Sequence, residues 1–394
     1  MAANLTDHSL TSILGIVEPS SELRASCEAA ASALTNGQCV ILPTETVYGL
    51  FCSAQSKESV NLLRGITGSK PEMPLAWHAP DQVSVIDLIL PVHHVHVRLL
   101  KRLAPGPVTF VFELPEYEID RITKALKVER GIIDDGTALA VRVPDHDVCR
   151  WALAHAKIPV VASSLAAAGM GNGSNAPTIE TVRARLDVFG REHPEFAQQI
   201  EQNPVIVESG NARYGQGSTV VRLTSRGGYA IERTGALEPR VIEKHMHRRI
   251  LFVCTGNTCR SAMAEAIAKR LINTLPETPI RTTAHSAGVA AGNGSPATTE
   301  AIKAAAAIGA DLEDHQATSI TKQMIADAEY IFTMTPEHAR AILTMDPSAA
   351  AKVRPLDPSG APITDPIGGS QELYNQTAAR IAELISQRLE EMDA

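Results

Sequence analysis

The sequence predicts an α/β protein built as two units, and three observations carry that expectation. At 394 residues the chain exceeds the usual size of one domain. Apolar, β-branched runs alternate with helical periodicity through most of its length. A short charged stretch, Glu238-Pro239 to His247-Arg248-Arg249, precedes a fresh apolar strand and places the division between residues 245 and 246. Domains are therefore expected at 1–245 and 246–394.

In the first unit, Cys39-Val40-Ile41-Leu42 reads as a strand leading into Pro43-Thr44-Glu45-Thr46-Val47-Tyr48-Gly49-Leu50. The turn Ala104-Pro105-Gly106-Pro107 feeds a second strand, Val108 to Phe112. Leu139 to Val143 and Ile158 to Ala162 are further strands, with Trp151 to Ala156 part of a helix between them. Asn172-Gly173-Ser174-Asn175 and Gly215-Gln216-Gly217 read as loops. His93, His94 and His96, with Arg98, Lys101 and Arg102, read as a solvated helix surface. No Cys or carboxylate stands at ligand spacing beside them, so no metal site is expected.

Composition sets outer limits. With 44% hydrophobic and 20% charged residues and a net charge of −8, the chain has no basic footprint for nucleic acid. No run approaches the ~18 apolar residues of a membrane span, so no membrane partner is expected. Asp7, Glu18 and Glu22 break any signal-peptide pattern at the N-terminus. Six scattered cysteines form no disulfide framework, and a reducing cytoplasm is the expected location.

The second unit carries the clearest chemistry. Ile250-Leu251-Phe252-Val253 reads as a buried strand, and Met263, Ile267 and Leu271 mark a helix lying on a sheet. Between them, Cys254-Thr255-Gly256-Asn257-Thr258-Cys259-Arg260-Ser261 opens onto the helix N-terminus, where free N–H groups favour an anion. Arg260 adds a planar fork for phosphate oxygens, and Cys254 as thiolate is a nucleophile for phosphorus. Downstream, Asp365-Pro366 precedes a helix beginning near Gln371, and an Asp there supplies a proton to a leaving group. Taken singly these are weak signals: a buried Cys with an unrelated Arg, and an ordinary Asp-Pro turn. The strand before the loop and the helix after it give them weight.

From about Arg248 onward the sequence resembles the low-molecular-weight protein tyrosine phosphatases, through Cys254 to Ser261, Ala264-Glu265, Ser286-Ala287-Gly288 and Asp365-Pro366. The resemblance implies a doubly wound parallel sheet, a cysteinyl-phosphate intermediate and no cofactor. It makes Cys254 the nucleophile, Arg260 the phosphate clamp, Ser261 a thiolate stabiliser and Asp365 general acid, then base. Thr255, Gly256, Asn257, Thr258 and Cys259 complete the phosphate loop, with Asn257 holding its shape. Thr258 stands where tyrosine-directed members usually carry Ile, and the Thr form resembles the bacterial protein arginine phosphatases. Asp365-Pro366-Ile367-Gly368-Gly369 also lacks the aromatics that stack on a phenol ring. Phosphorylated proteins are the expected substrates, phosphoarginine ahead of phosphotyrosine. A thiol-linked arsenate reductase needs further cysteines, and none follows Cys259. Cys259 is either a core thiol or a reversible disulfide partner of Cys254.

From about Ser21 to Leu237 the sequence resembles the YrdC-like threonylcarbamoyl-AMP synthases. The matching pieces are Pro43 to Leu50, Pro74-Leu75 with His78, Pro105 to Thr109, Val141 to His146, Ser218 to Val221 and Arg233 to Ala236. The resemblance implies a twisted mixed sheet with helices. It also implies synthesis of threonylcarbamoyl-AMP from ATP, L-threonine and bicarbonate, with Mg2+ beside the nucleotide, toward tRNA modification. Its implied partners are tRNA or double-stranded RNA. By the same resemblance Thr46, His78, Arg142 and Ser218 contact threonine, and Arg233 contacts ATP. Three motifs depart from the family: Gly68-Ser69-Lys70-Pro71, Met73 before Pro74, and Ser164-Leu165-Ala166, where the family has Lys-x-Arg-Pro, Asn and Ser-Ala-Asn. Lys70 and Ser164 remain from these, with Arg64 on the preceding helix as a candidate helper. The expected protein is a bifunctional fusion. The alternative is a phosphatase whose degenerate N-terminal domain only binds nucleotide, threonine or RNA.

Overall fold

A computed structural model describes residues 15–89, 93–165, 179–194 and 205–393. The chain divides into two compact units, Met1–Lys244 and His245–Ala394. The expected loop at 172–175 lies outside the described residues.

The first unit runs α1 (Ser21–Thr35), β1 (Val40–Leu42), β2 (Gly49–Ser53), α2 (Lys57–Thr67), β3 (Ala76–His78), α3 (Gln82–Ile89), α4 (His94–Leu103) and β4 (Val108–Glu113). It continues α5 (Glu116–Leu126), β5 (Ala138–Arg142), α6 (Asp147–Ala156), β6 (Val160–Ser164), α7 (Ile179–Glu192), β7 (Val205–Ile206), β8 (Thr219–Leu223) and β9 (Tyr229–Arg233). Helix α8 (Pro239–His245) ends at the division. The strands form one nine-stranded sheet in the order β7-β1-β2-β6-β3-β5-β4-β8-β9. It is mixed: β1 with β7, β3 with β5 and β4 with β8 pair parallel, and the other neighbours antiparallel.

Strand β4 shows why these residues fold this way. Val108, Phe110 and Phe112 are buried while Thr109, Val111 and Glu113 are half-exposed, the period-two pattern of a strand. Burying each such aromatic contributes roughly 1.5–3 kcal/mol. By contrast β1, β2 and β5 are buried at every position, as strands covered on both faces must be. Cys27, Ala30 and Leu34 of α1 meet Cys149 and Ala152 of α6 in one core with Val40, Leu42 and Phe51. The histidine cluster departs from expectation. His93 is exposed, but His96 is buried, edge-on to Phe112 and in contact with the Gly228 carbonyl at 3.3 Å. The helical period turns position 96 onto the same face as Val95, Leu99 and Leu103.

The second unit runs β10 (His247–Cys254), α9 (Arg260–Ile272), β11 (Arg281–Gly288), α10 (Thr299–Ala307), α11 (Lys322–Asp327) and β12 (Tyr330–Thr333). It closes with α12 (Pro336–Met345), β13 (Val353–Pro355) and α13 (Gln371–Asp393). Its four strands are all parallel, in the order β11-β10-β12-β13. Along β10, Ile250, Phe252 and Cys254 enter one core with Met263, Ile267 and Ile381, and Leu251 and Val253 enter another with Ile331 and Ile342. Alternation with both faces buried makes the sheet doubly wound. Strand β10 begins at His247, not Ile250, because it pairs with β11 from His247 opposite Arg281. Arg248, expected in a charged linker, is buried in that strand and donates to the Met392 carbonyl at 3.0 Å. Since β11 and β12 flank β10, the chain reverses its winding there. The carboxyl end of β10 is the crevice where such sheets take ligands, and Cys254 stands at it.

Candidate active sites

Cys254 ends β10 with its thiol buried. Its Sγ lies 2.9 Å from Ser261 Oγ and accepts the Asn257 N–H at 3.3 Å. Asn257 has φ 57°, the left-handed conformation that Asn tolerates better than most side chains. Its amide is fully engaged: Nδ2 donates to Ser261 Oγ at 2.9 Å and Ser286 Oγ at 2.8 Å, and Oδ1 accepts the Thr318 N–H at 2.8 Å. Ser286 passes its own proton to Glu265 Oε2 at 2.5 Å. Ser261 Oγ accepts from Asn257 and has one proton to give, with Cys254 Sγ at 2.9 Å nearer than the Ala287 carbonyl at 3.4 Å; a hydroxyl turned to sulfur, like the Asn257 N–H, favours the anion.

The loop carbonyls are bonded on the far side. Val289 N–H donates to Cys254 O, Ala290 N–H to Thr255 O, Thr298 N–H to Thr258 O and His315 Nε2 to Asn257 O, at 2.7–3.0 Å. The loop's N–H edge is thereby turned inward, as an anion cradle requires. Gly288 must be glycine, since a Cβ there would stand 2.5 Å from Thr255 O and 3.0 Å from Asn257 N. Arg260 opens α9; its Nη1 donates to Ile363 O at 3.1 Å and its Nη2 to Asp365 Oδ2 at 2.5 Å. The guanidinium is 6% exposed and the carboxylate 44%, so the clamp is fixed while the acid faces the mouth. Thr258 is half-buried at the loop, and Ile367 beyond the acid is exposed. Cys259 lies in the core, its Sγ 3.5 Å from both Tyr374 Oη and Thr298 Oγ1. Burial pushes the Tyr374 hydroxyl up to about 12.

In the first unit, Arg142 at the end of β5 gathers the expected residues. Its Nη2 donates to Thr46 Oγ1 at 2.7 Å and to Glu45 Oε1 at 3.0 Å. Thr46 Oγ1 also lies 2.8 Å from Thr44 Oγ1. Arg142 Nε and Glu45 Oε2 are buried and have no hydrogen-bond partner among the described residues. His78 and Thr109 face Arg142 in the strand register. Ser218 Oγ lies 2.8 Å from Thr109 Oγ1, and Arg233 Nη2 donates to Ser218 O at 2.9 Å. Burial, then the charge of Arg142, holds Arg233 below its usual range. His78 is buried against Phe51 with Nδ1 2.9 Å from the Ala76 carbonyl, and burial lowers it to about 3, with Arg142 adding to the effect. Thr46, His78, Arg142, Ser218 and Arg233 thus form one cluster around Arg142.

Lys70 and Ser164 are placed differently. Lys70 is exposed on the turn after α2, and Ser164 ends β6 opposite Gly49. Ser69 Oγ lies 2.8 Å from Ser163 Oγ, which ties the turn to that strand. Arg64 does not reach outward as a phosphate helper. It is buried, and its Nη1 donates to the carbonyls of Lys70 and Pro71, holding the turn in shape. Among the described residues no group of three or more His, Cys, Asp or Glu could hold a metal ion. No described helix is long and apolar enough to cross a membrane.

Sequence reasoning missed Glu45, Thr44 and Thr109 in the first unit and His315, His338 and Thr318 in the second. Glu45 had a faint signal, a carboxylate beside Thr46 in an apolar run. His315 and His338 had none, lying 58 and 83 residues from their loop partners.

Residues 249–394 match the family model for low molecular weight phosphotyrosine protein phosphatase. Residues 32–235 match the Sua5/YciO/YrdC model, described as telomere recombination. A protein-arginine-phosphatase of Bacillus subtilis is 33% identical over 142 residues, 35% of this chain and 92% of that protein. A threonylcarbamoyl-AMP synthase of Pyrococcus abyssi is 29% identical over 195 residues, half of each chain. The threonylcarbamoyl-AMP synthase of Bacillus subtilis is 29% identical over 136 residues, 34% of this chain, and only 36% of that protein's length is spanned.

Proposed function

The chain belongs to the low molecular weight phosphotyrosine protein phosphatase family through residues 249–394 and to the Sua5/YciO/YrdC family through residues 32–235, and from that premise we propose a bifunctional enzyme. The second unit hydrolyses phosphorylated proteins, phosphoarginine in preference to phosphotyrosine. The observation that carries this is the convergence on Cys254 Sγ of Ser261 and the Asn257 N–H, beside the Arg260–Asp365 pair.

The phosphoryl group enters the cradle of N–H groups and takes the Arg260 fork. Cys254 thiolate attacks phosphorus, the P–N or P–O bond breaks, and Asp365 as acid protonates the departing atom. Water then attacks the cysteinyl-phosphate, Asp365 as base accepts its proton, and phosphate leaves with the thiolate restored. Ser261 steadies sulfur in both steps. Thr258 offers the pocket a hydroxyl, and Ile367 offers no aromatic face. Both favour a planar phosphoguanidinium over a phenol. Turnover of matched phosphoarginine and phosphotyrosine peptides tests this, and Thr258→Ile should move the ratio toward phosphotyrosine. An unmoved ratio removes the substrate assignment.

The first unit makes threonylcarbamoyl-AMP. Arg142, with Thr46, His78 and Ser218, suits threonine and its carboxylate, and Arg233, Lys70 and Ser164 suit the nucleotide. Threonine and bicarbonate combine with loss of water, and the resulting carbamate takes AMP from ATP as pyrophosphate departs. Mg2+ would accompany the phosphates, and tRNA would lie downstream. A second reading, a binding module without turnover, is favoured by Arg64, whose engagement with two carbonyls leaves Lys70 the cation of that turn. Incubating the Cys254→Ser protein with ATP, bicarbonate and labelled threonine separates the two. Pyrophosphate with adenylate supports the synthase; threonine or ATP binding without product supports the module.

A further inference from the structure

We propose that the segment from Val207 to Ser218 is a strap that closes over the Arg142 cluster, with Tyr48 the positioning residue that holds it down. This rests on the reading of that cluster as the threonine site and adds the element that retains the ligand there.

Topology brings the segment across the site. It joins β7, one edge of the nine-stranded sheet, to β8, which lies next to the other edge, with six strands between them. Both ends are anchored. Val207 is buried and its N–H donates to Ile41 O at 3.0 Å, and Ser218 is buried with its Oγ 2.8 Å from Thr109 Oγ1. Between these ends the segment meets the loop that carries Glu45 and Thr46, where Tyr214 N–H donates to Glu45 O at 2.9 Å. It also meets the turn after Arg142, where Arg213 Nη1 donates to Asp145 Oδ2 at 3.0 Å.

The middle of the strap is weakly held. Every residue from Glu208 to Gly217 is exposed or half-buried, so little apolar burial secures it. Its ion pairs, Glu208 with Arg183 and Arg213 with Asp145, are solvent-exposed and contribute little. Tyr48 is the exception. Its ring is buried, and its hydroxyl makes two bonds of fixed direction. The Ser209 N–H can only donate, so Tyr48 Oη accepts it at 3.2 Å. The Gly210 carbonyl can only accept, so the same hydroxyl gives it its proton at 2.8 Å. Tyr48 follows Thr46 by two residues, so one side chain ties the strap to the loop that supplies the threonine contacts. Gly210, at φ 76°, and Gly215, at φ 64°, hold left-handed conformations on either side of Arg213 and Tyr214, and these are the points where the strap can bend.

If closing the strap strengthens threonine binding, threonine must in return hold the strap closed, by linkage. Trypsin reads that state, because it cuts after Arg213 in an exposed, opened segment. Two variants loosen the strap by different routes. Tyr48→Phe removes the hydroxyl and keeps the ring. Gly210→Ala strains a left-handed position without a clash, since a Cβ there meets nothing within 4 Å. In the full chain, L-threonine affinity is measured by calorimetry, and cleavage after Arg213 is followed by fragment mass with and without L-threonine. Saturating L-threonine should slow that cleavage in the parent. Tyr48→Phe should weaken threonine binding about tenfold and speed cleavage without ligand by a similar factor, the scale of one lost hydrogen bond. Gly210→Ala, whose new methyl touches nothing, should move both about fivefold in the same directions. Threonine that binds the parent without slowing cleavage, or variants that keep the parental affinity, overturn the strap and leave the threonine site standing. Cleavage that rises only as far as the tryptophan-monitored urea midpoint falls makes Tyr48 a support of the fold and overturns its role. A parent that binds no threonine overturns the threonine reading itself, and the inference with it.

Discussion

Each unit sets an arginine against a carboxylate, and the two pairs are built for opposite purposes. Arg260 is 6% exposed but its partner Asp365 is 44% exposed, whereas Arg142 and Glu45 are 8% and 1% exposed. A half-solvated carboxylate can leave its arginine at little cost, because water replaces the lost contact. A carboxylate sealed inside the fold cannot, since separating it exposes a buried charge without compensation. The first arrangement leaves Asp365 free to trade places with a phosphate and move protons. The second locks Arg142 in position, with its Nη2 committed to Glu45 and Thr46, so a ligand meets a guanidinium whose remaining N–H groups are fixed in place. Chemistry and stability are separable in the second unit and entangled in the first.

The largest effect expected follows from that separation. Cys254→Ser should reduce phosphatase turnover at least about 10,000-fold, the scale of removing a covalent nucleophile, yet leave the thermal transitions of both units nearly unmoved. A large fall in either transition would show that the thiol also holds the fold. Next comes Arg142→Ala, which should destabilise the first unit by about 3–5 kcal/mol in urea denaturation and abolish threonine binding together. Adding Glu45→Gln should recover much of the stability and none of the binding. If Arg142→Ala unfolds at the parental urea concentration, the contrast between the pairs fails. Asp365→Asn should slow substrates with poor leaving groups by about 100-fold while sparing p-nitrophenyl phosphate and fold stability. Equal slowing of good and poor leaving groups would remove Asp365 as proton donor.

The same contrast governs what could be read before the structure. The phosphate loop was legible because its eight residues, Cys254 to Ser261, are consecutive and lie between a strand and a helix. Asp365 was legible through its proline and the helix that follows. How the loop is braced was not: Glu265 and Ser286 stood in matching pieces without a role, and with His315, Thr318 and His338 they act from four separate segments. In the first unit the doubly buried strands and the alternation of β4 could be read from residue type alone. The inward turn of Arg64 and the burial of His96 could not. A cationic or imidazole side chain on a helix gives no local sign of whether a carbonyl awaits it.

The smallest effect expected concerns His78, where burial beside Arg142 should make the first unit acid-sensitive. Its folded value is lowered to about 3, against about 6.5 in the unfolded chain. Above pH 6.5 both states hold the ring neutral and His78 adds no pH dependence. As pH falls from 6.5 toward 3 the unfolded chain takes up a proton that the folded unit refuses. Stability is therefore lost with falling pH, at up to about 1.4 kcal/mol per unit. Both tryptophans, Trp77 and Trp151, belong to the first unit, so their fluorescence follows its unfolding alone. Urea midpoints read this way at pH 7, 6 and 5 should fall more steeply for the parent than for His78→Phe, whose ring cannot titrate. Parallel slopes would mean that His78 takes its proton in the folded state, and that Arg142 does not confine it as the geometry implies.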